Sequence, residues 1–256
     1  TLGLPQDTQT EACDYPESYF GKKVWHHDRR TPHPRALKEA VSILSSAQKP
    51  LIVAGGGVHY SQAAETLRGF AEIFGIPVSE TQAGKSAMSW KDPMSVGSIG
   101  VTGSSAANLL AKKADVVLVV GSRLQDFTTA SKQVFDADVK LLHLNVSKFD
   151  GLKMDSIMLQ ADAKSGLESL SEELSKAKFQ TSAEYRRYVS QLQSEWNAEV
   201  DRLYNLTSEE GNVQTSIVGT LNEFMAPEDI VLCAAGSLPG DLHRLWRSEI
   251  PKTYHM

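Results

Sequence analysis

Thiols are scarce in this chain: Cys13 and Cys233 are the only cysteines among 256 residues. They stand far apart, which excludes a disulfide framework and a zinc site built on CxxC pairs, so both read as reduced thiols. His26, His27, His33 and His59 do not supply metal-ligand spacing either. Basic charge is also short. Lys and Arg number 26 against 31 Asp and Glu, a formal net charge of −5 with the signs interspersed. That balance carries no footprint for nucleic acid. No apolar run reaches the roughly 20 residues a membrane helix needs, and the first residues lack the pattern of a secretory leader. The expectation is a cytoplasmic protein with neither nucleic acid nor membrane as partner. Its length suits one α/β domain with parts of others.

What is present is alternation. Residues 50–54 (PLIVA) and 115–120 (DVVLVV) read as buried strands, joined by shorter ones at 76–80, 140–146 and 156–161. Between them the spacing predicts helices over 34–47, 60–74, 104–113 and 163–177. Leu67, Phe70, Ala71 and Phe74 share a face, Gly75 is a stop, and Ser104 or Ser105 is an N-cap. Buried strands separated by helices mean a doubly wound parallel sheet. The ends read differently. Residues 1–33 look like an extended lead-in lying on a surface. A long helix is expected over 182–206, another over 212–224, then a strand over 229–234 that halts at PKTYHM before a new unit could close a sheet.

Three stretches carry candidate chemistry, each with a bland alternative. AGGGVHYS places Gly55, Gly56 and Gly57 between strand and helix, where backbone N–H groups can face a phosphate; it is equally a tight turn. VVGSRLQDFTT sets Gly121, Ser122 and Arg123 at a strand's carboxyl end, where arginine can clamp a phosphate or pair with a loop carboxylate such as Asp126. CAAGSLPGDLHRLW offers Ser237, Gly240 and His243 after a strand, for a phosphate or for a turn. ETQAGKSAM has Gly84 and Lys85 but not P-loop spacing. GSIGVTGSSAAN reads as a loop of close backbone approach, or as a flexible loop and cap.

Taken in order, LPQD, PLIVAGGGV, GIPVSETQAGKSA, GSIGVTGSSAAN, GSRLQDFTTAS, LNVSKFD and AAGSLPGDLHRLW resemble the thiamine-diphosphate enzymes over nearly the whole chain. The resemblance implies a fold: a Rossmann-like, six-stranded parallel central domain over 34–178. Residues 1–33 would be the tail of a pyrimidine-binding domain and a linker. Residues 179–256 would be a linker helix and the start of a pyrophosphate-binding domain. It also implies a reaction, hydrolysis of a carbon–carbon bond in a cyclic 1,2-diketone formed during myo-inositol breakdown, giving 5-deoxy-glucuronate. Thiamine diphosphate and magnesium would be the cofactors of a longer, homo-oligomeric enzyme.

The family's activating glutamate and its GDG metal motif have no counterpart here, so no catalytic residue and no metal ligand is assigned to this chain. Ser237, Gly240 and His243 match a loop that touches the cofactor diphosphate. Gly55, Gly56, Gly57, Gly121, Ser122, Arg123, Asn145 and Asp162 match positions that hold FAD in acetohydroxyacid synthase; other relatives hold ADP there, or nothing. Asn145 stands where the flavin pattern has an acidic residue, which argues against FAD. A carboligase of the synthase type and a non-catalytic nucleotide-binding domain stay open. With its neighbours absent, the chain is expected to expose apolar surface along 182–206 and near Trp246.

Overall fold

The structure is a computed structural model describing residues 3–26, 28–209 and 211–256; His27 and the first two residues of the lead-in lie outside them. The lead-in carries two short 3₁₀ turns, Thr8–Thr10 and Glu17–Phe20, and no strand among its described residues. Tyr15, Tyr19 and Phe20 cluster on one another, yet all three are more than half exposed.

Helix α1 (Pro34–Ser46) leads into β1 (Pro50–Ala54). There follow α2 (Gly57–Tyr60), α3 (Ala64–Phe74), β2 (Val78–Glu80), β3 (Ser95–Ser98), α4 (Ser105–Lys113) and β4 (Val116–Val120). Then come α5 (Asp126–Thr129), β5 (Lys140–Asn145), α6 (Phe149–Leu152), β6 (Ile157–Gln160) and α7 (Ala163–Lys176). The six strands pair in parallel in the order β3-β2-β1-β4-β5-β6. This is the doubly wound sheet expected, with its switch point between β1 and β4.

Alternation along each strand sorts the core into two layers. Ile52, Ala54, Leu118, Val120, Leu142 and Leu144 pack with α1, α3 and α7. Leu51, Val53, Val117 and Val119 face the other way, onto α4 and the first half of α8 (Ala183–Tyr204). The second half of α8 instead supplies Val200 and Tyr204 to a smaller cluster. Its other members come from α9 (Gln214–Phe224), α10 (Ser237–Leu245) and β8 (Tyr254–His255). One helix therefore serves two cores.

Four expectations need correcting. The helix expected over 60–74 is two helices, because Gln62 turns to φ +55° and breaks the path; every residue of the apolar stripe lies after the break, and Tyr60 is exposed. The strand β3 was not legible: it is four residues long, contains Gly97 at φ +80°, and is held by Gln193 of α8 donating to Ser95 O at 2.7 Å. The chain does not halt before pairing a second unit. Within PKTYHM, Tyr254 and His255 pair in parallel with β7 (Val231–Leu232). Finally, Tyr185, Val189, Leu192, Val200 and Trp246 are buried, not exposed. The most exposed apolar side chains of this half are Phe224, Leu232, Met256 and Ile230, with Ile217, Leu221, Leu238 and Ile250 less so.

Candidate functional site

At the switch point the loops after β1 and β4 touch backbone to backbone. A Cβ on Gly57 would sit 2.6 Å from Gly121 Cα, and one on Gly55 2.6 Å from Ser122 Cα. Gly121 itself has φ +61°, so it needs glycine twice over. The N–H groups are spent in the same contact: Gly55 donates to Val120 O (2.8 Å), Gly57 to Gly121 O (2.9 Å) and Gly121 to Leu144 O (2.9 Å). Gly56 sits on this turn, half-buried, against Ala83.

Of the other positions matched to a nucleotide, Ser122, Asn145 and Asp162 have protein partners too. Ser122 accepts from Leu124 N through its hydroxyl. Its carbonyl accepts from His143 Nε2 (2.6 Å) and Asn145 Nδ2 (3.0 Å). His143 is fully buried, and burial holds its pKa below the ordinary value. Asp162 caps α7 through Lys164 N and Ser165 N, and accepts from Arg29 of the lead-in at 2.9 Å. Arg123 alone is exposed.

A second assembly forms where the ends of β2 and β3 meet α10. His243 is 2% exposed there. Its Nε2 lies 3.3 Å from Glu80 O, a carbonyl that can only accept, so Nε2 carries the proton. Nδ1 is then the acceptor for the Thr102 hydroxyl at 2.8 Å. Ser98 donates to His243 O. Burial, with Lys85 nearby, pushes the imidazole down to about 3, so it is neutral. His243 is thereby a peg into the central unit, with both ring nitrogens occupied. Gln82 adds a tie, its Nε2 donating to Tyr254 OH at 3.0 Å and Pro239 O at 3.5 Å.

Behind the peg sit Glu80 and Lys85, each 4% exposed. Burial raises the Glu80 pKa against the opposing charge of Lys85, and lowers that of Lys85 against Glu80. Met88 N donates to Glu80 Oε1 at 2.9 Å.

Between these parts opens a cleft of about 230 Å³ lined by Gln82, Thr102, Gln125, Phe127, Thr128 and Pro239, among others. Gly240 and His243 reach it; Gly55, Gly57, Gly121, Asn145 and Asp162 do not. Ser237 is exposed at the first turn of α10, after Gly236 at φ +140°. Sequence reasoning missed Gln82, Thr102, Gln125, Phe127 and Thr128. Each lies inside a stretch singled out for its glycines, and no periodicity marks a loop side chain.

Residues 37–170, from α1 into α7, match the model of the thiamine pyrophosphate enzyme central domain. The chain belongs to the thiamine pyrophosphate enzyme family. In this family member the matched stretch coincides with the six-stranded unit. The whole chain also aligns with proteins called 3D-(3,5/4)-trihydroxycyclohexane-1,2-dione hydrolase. Identity is 41% for that of Clostridium tetani and 42% for those of Bacillus cereus strain AH820 and Geobacillus thermodenitrificans. The alignment covers 100% of this chain and 43% of each relative. The chain thus spans less than half the length of the curated relatives it matches. Among the described residues no helix is long and apolar enough to cross a membrane, and no group of three His, Cys, Asp or Glu could hold a metal ion.

Proposed function

We propose that this chain is the middle part of a thiamine-diphosphate-dependent hydrolase. The enzyme would open the ring of 3D-trihydroxycyclohexane-1,2-dione to 5-deoxy-glucuronate, a carbon–carbon hydrolysis in myo-inositol catabolism. The observation that carries it is the identity of 41–42% along the entire chain with relatives of that name. The enzyme works in the cytoplasm as a homo-oligomer, with magnesium held by parts of the enzyme beyond this chain.

The residues present fit one end of the cofactor. The first turn of α10, entered through the φ of Gly236, offers N–H groups at a helix N-terminus to a diphosphate. Ser237 and Gly240 stand on that turn. When bound, thiamine diphosphate supplies the nucleophilic carbon and the electron sink. This chain's part is to hold the turn still. His243 does so through Thr102 and Glu80 O, as a positioning residue.

The residues do not fit FAD or ADP at the switch point. The amides of Gly55, Gly57 and Gly121 are donated to protein carbonyls, and Asp162 is taken by Arg29 and by the α7 cap. A free-standing nucleotide-binding domain is disfavoured for the same reason. The test is turnover of the dione by the full-length polypeptide with thiamine diphosphate and magnesium. Ring opening is the expected outcome. Acetolactate formation without ring opening would replace it with a carboligase.

A further inference from the structure

The peg and Gln82 hold one side of the junction between the two units, and a second tie holds another. Trp90 N donates to Ser248 O at 3.0 Å, Lys91 pairs with Glu249 at 2.7 Å, and the Arg247 guanidinium lies 4.3 Å from the centre of the Trp90 ring. The junction still does not close completely. A cavity of about 40 Å³ remains inside it. The central unit lines it with Glu80 and Lys85, the second unit with Arg244 and Ser248, and the shared helix α8 with Trp196. Neither the first turn of α10 nor Met256 reaches it.

The polar groups of this lining are short of partners. Lys85 is 4% exposed, yet among the described residues its ammonium makes neither a hydrogen bond nor a contact ion pair. Glu80 acts on it only at longer range, and the Tyr254 ring stands 5.8 Å away. Arg244 Nε and Ser248 Oγ are both buried without a partner. The Trp196 indole N–H has no partner among the described residues either. An ammonium, a guanidinium and an indole N–H can only donate. Glu80 differs, because its Oε1 already accepts from Met88 N at 2.9 Å. Buried donors left unmet are costly, so the lining calls for an acceptor.

Charge makes the same demand. Glu80 and Lys85 sum to zero whether both are ionised or a proton has passed from one to the other. Arg244 then adds one positive charge, and no carboxylate pairs with it among the described residues. Water alone would meet the donors and leave that charge uncompensated. Size narrows the class. By this measure one water needs about 10–15 Å³, so a cavity of about 40 Å³ has no room for a phosphate ester, a nucleotide or a sugar.

We propose that this cavity binds one small monovalent anion of halide size, which bridges Lys85 of the central unit and Arg244 of the second and clamps the junction between them. The site is whole only when the two units are together. Anion occupancy and closure of the junction therefore favour each other. The site is independent of the reaction proposed above.

The test uses the full-length protein loaded with thiamine diphosphate. Sodium chloride is exchanged for sodium gluconate at constant ionic strength, gluconate being too large for the cavity. Amide hydrogen exchange is read along the chain. Exchange in α10 is expected to slow about 10-fold when chloride reaches ten times its Kd, while α3 and α7, on the other face of the sheet, do not change. Arg244→Gln and Lys85→Met are each expected to abolish the chloride effect. If Lys85→Met fails to fold, Arg244→Gln decides, since that side chain is only half-buried. Crystals of the full-length protein soaked in bromide are expected to show an anomalous peak in the cavity.

Exchange in α10 that is indifferent to chloride overturns the proposal. So does a chloride effect that Arg244→Gln leaves intact. A crystal without the bromide peak, whose cavity holds water or a carboxylate from elsewhere in the polypeptide, overturns it as well.

Discussion

The strands β4 and β7 are both runs of branched apolar residues, and the chain treats them in opposite ways. All five residues of β4 are buried between two neighbours and two layers of helices. In β7 only two residues pair, with one neighbour, and Leu232 is 78% exposed. The central unit has closed its core on both faces. The unit after α8 has one small cluster and one uncovered face, and it leans on the central unit through His243, Gln82 and the shared helix. The comparison teaches that burial here follows the number of layers available, not strand composition. The first unit is expected to set global stability and the second to be the part that opens first.

The sharpest way to break the contrast is at the glycine contact. Gly121→Ala combines a left-handed backbone with a Cβ 2.6 Å from Gly57 Cα. A loss of more than about 3 kcal/mol is expected in urea unfolding. Paired truncations come next. Leu118→Ala, from full burial in β4, should cost about 2–5 kcal/mol, while Leu232→Ala in β7 should stay within about 0.5 kcal/mol. Similar costs at the two sites would mean the second unit is closed after all.

The junction is read by pH. Folded His243 is held near 3 against an ordinary 6.5. Above 6.5 neither state is protonated. As pH falls below that value the unfolded chain takes up a proton that the folded chain refuses. Stability is then lost by about 1.4 kcal/mol per pH unit until about 3. His59 and His143 shift in the same direction, so the measurement is the difference between wild type and His243→Asn. The variant should show a shallower decline between pH 6.5 and 4.5. Smallest is Tyr204→Phe, which removes a hydroxyl donating to Leu245 O at 2.6 Å. It should cost about 1 kcal/mol, seen as faster amide exchange in α9 and α10 with the central sheet unchanged.

Much of the central unit was legible because its signals are local. Gly75 does stop α3 in the left-handed region, Ser104 does cap α4 through Ala107 N, and Asp162 caps α7. Periodicity placed β1, β4 and α7 within a residue or two. It failed at β3, whose four residues depend on Gln193 from a helix about a hundred positions away. The candidate site was less legible. Glycines flagged its loops, but the side chains that line the cleft sit between the flagged residues.

What the sequence by itself determined is the parallel α/β unit and the places where the chain must turn. Apolar spacing, caps and glycines act over a few residues, and their consequences can be read along the chain. Only the tertiary structure decided what those turns do. Gly55, Gly57 and Gly121 spend their amides on the carbonyls of Val120, Gly121 and Leu144, and His243 is spent on Thr102 and Glu80 O. Those partners occupy the switch-point groups that were read as a nucleotide seat. A hydrogen-bonding group has a fixed number of partners, and which partner takes each is settled by segments that meet only when the sheet has folded.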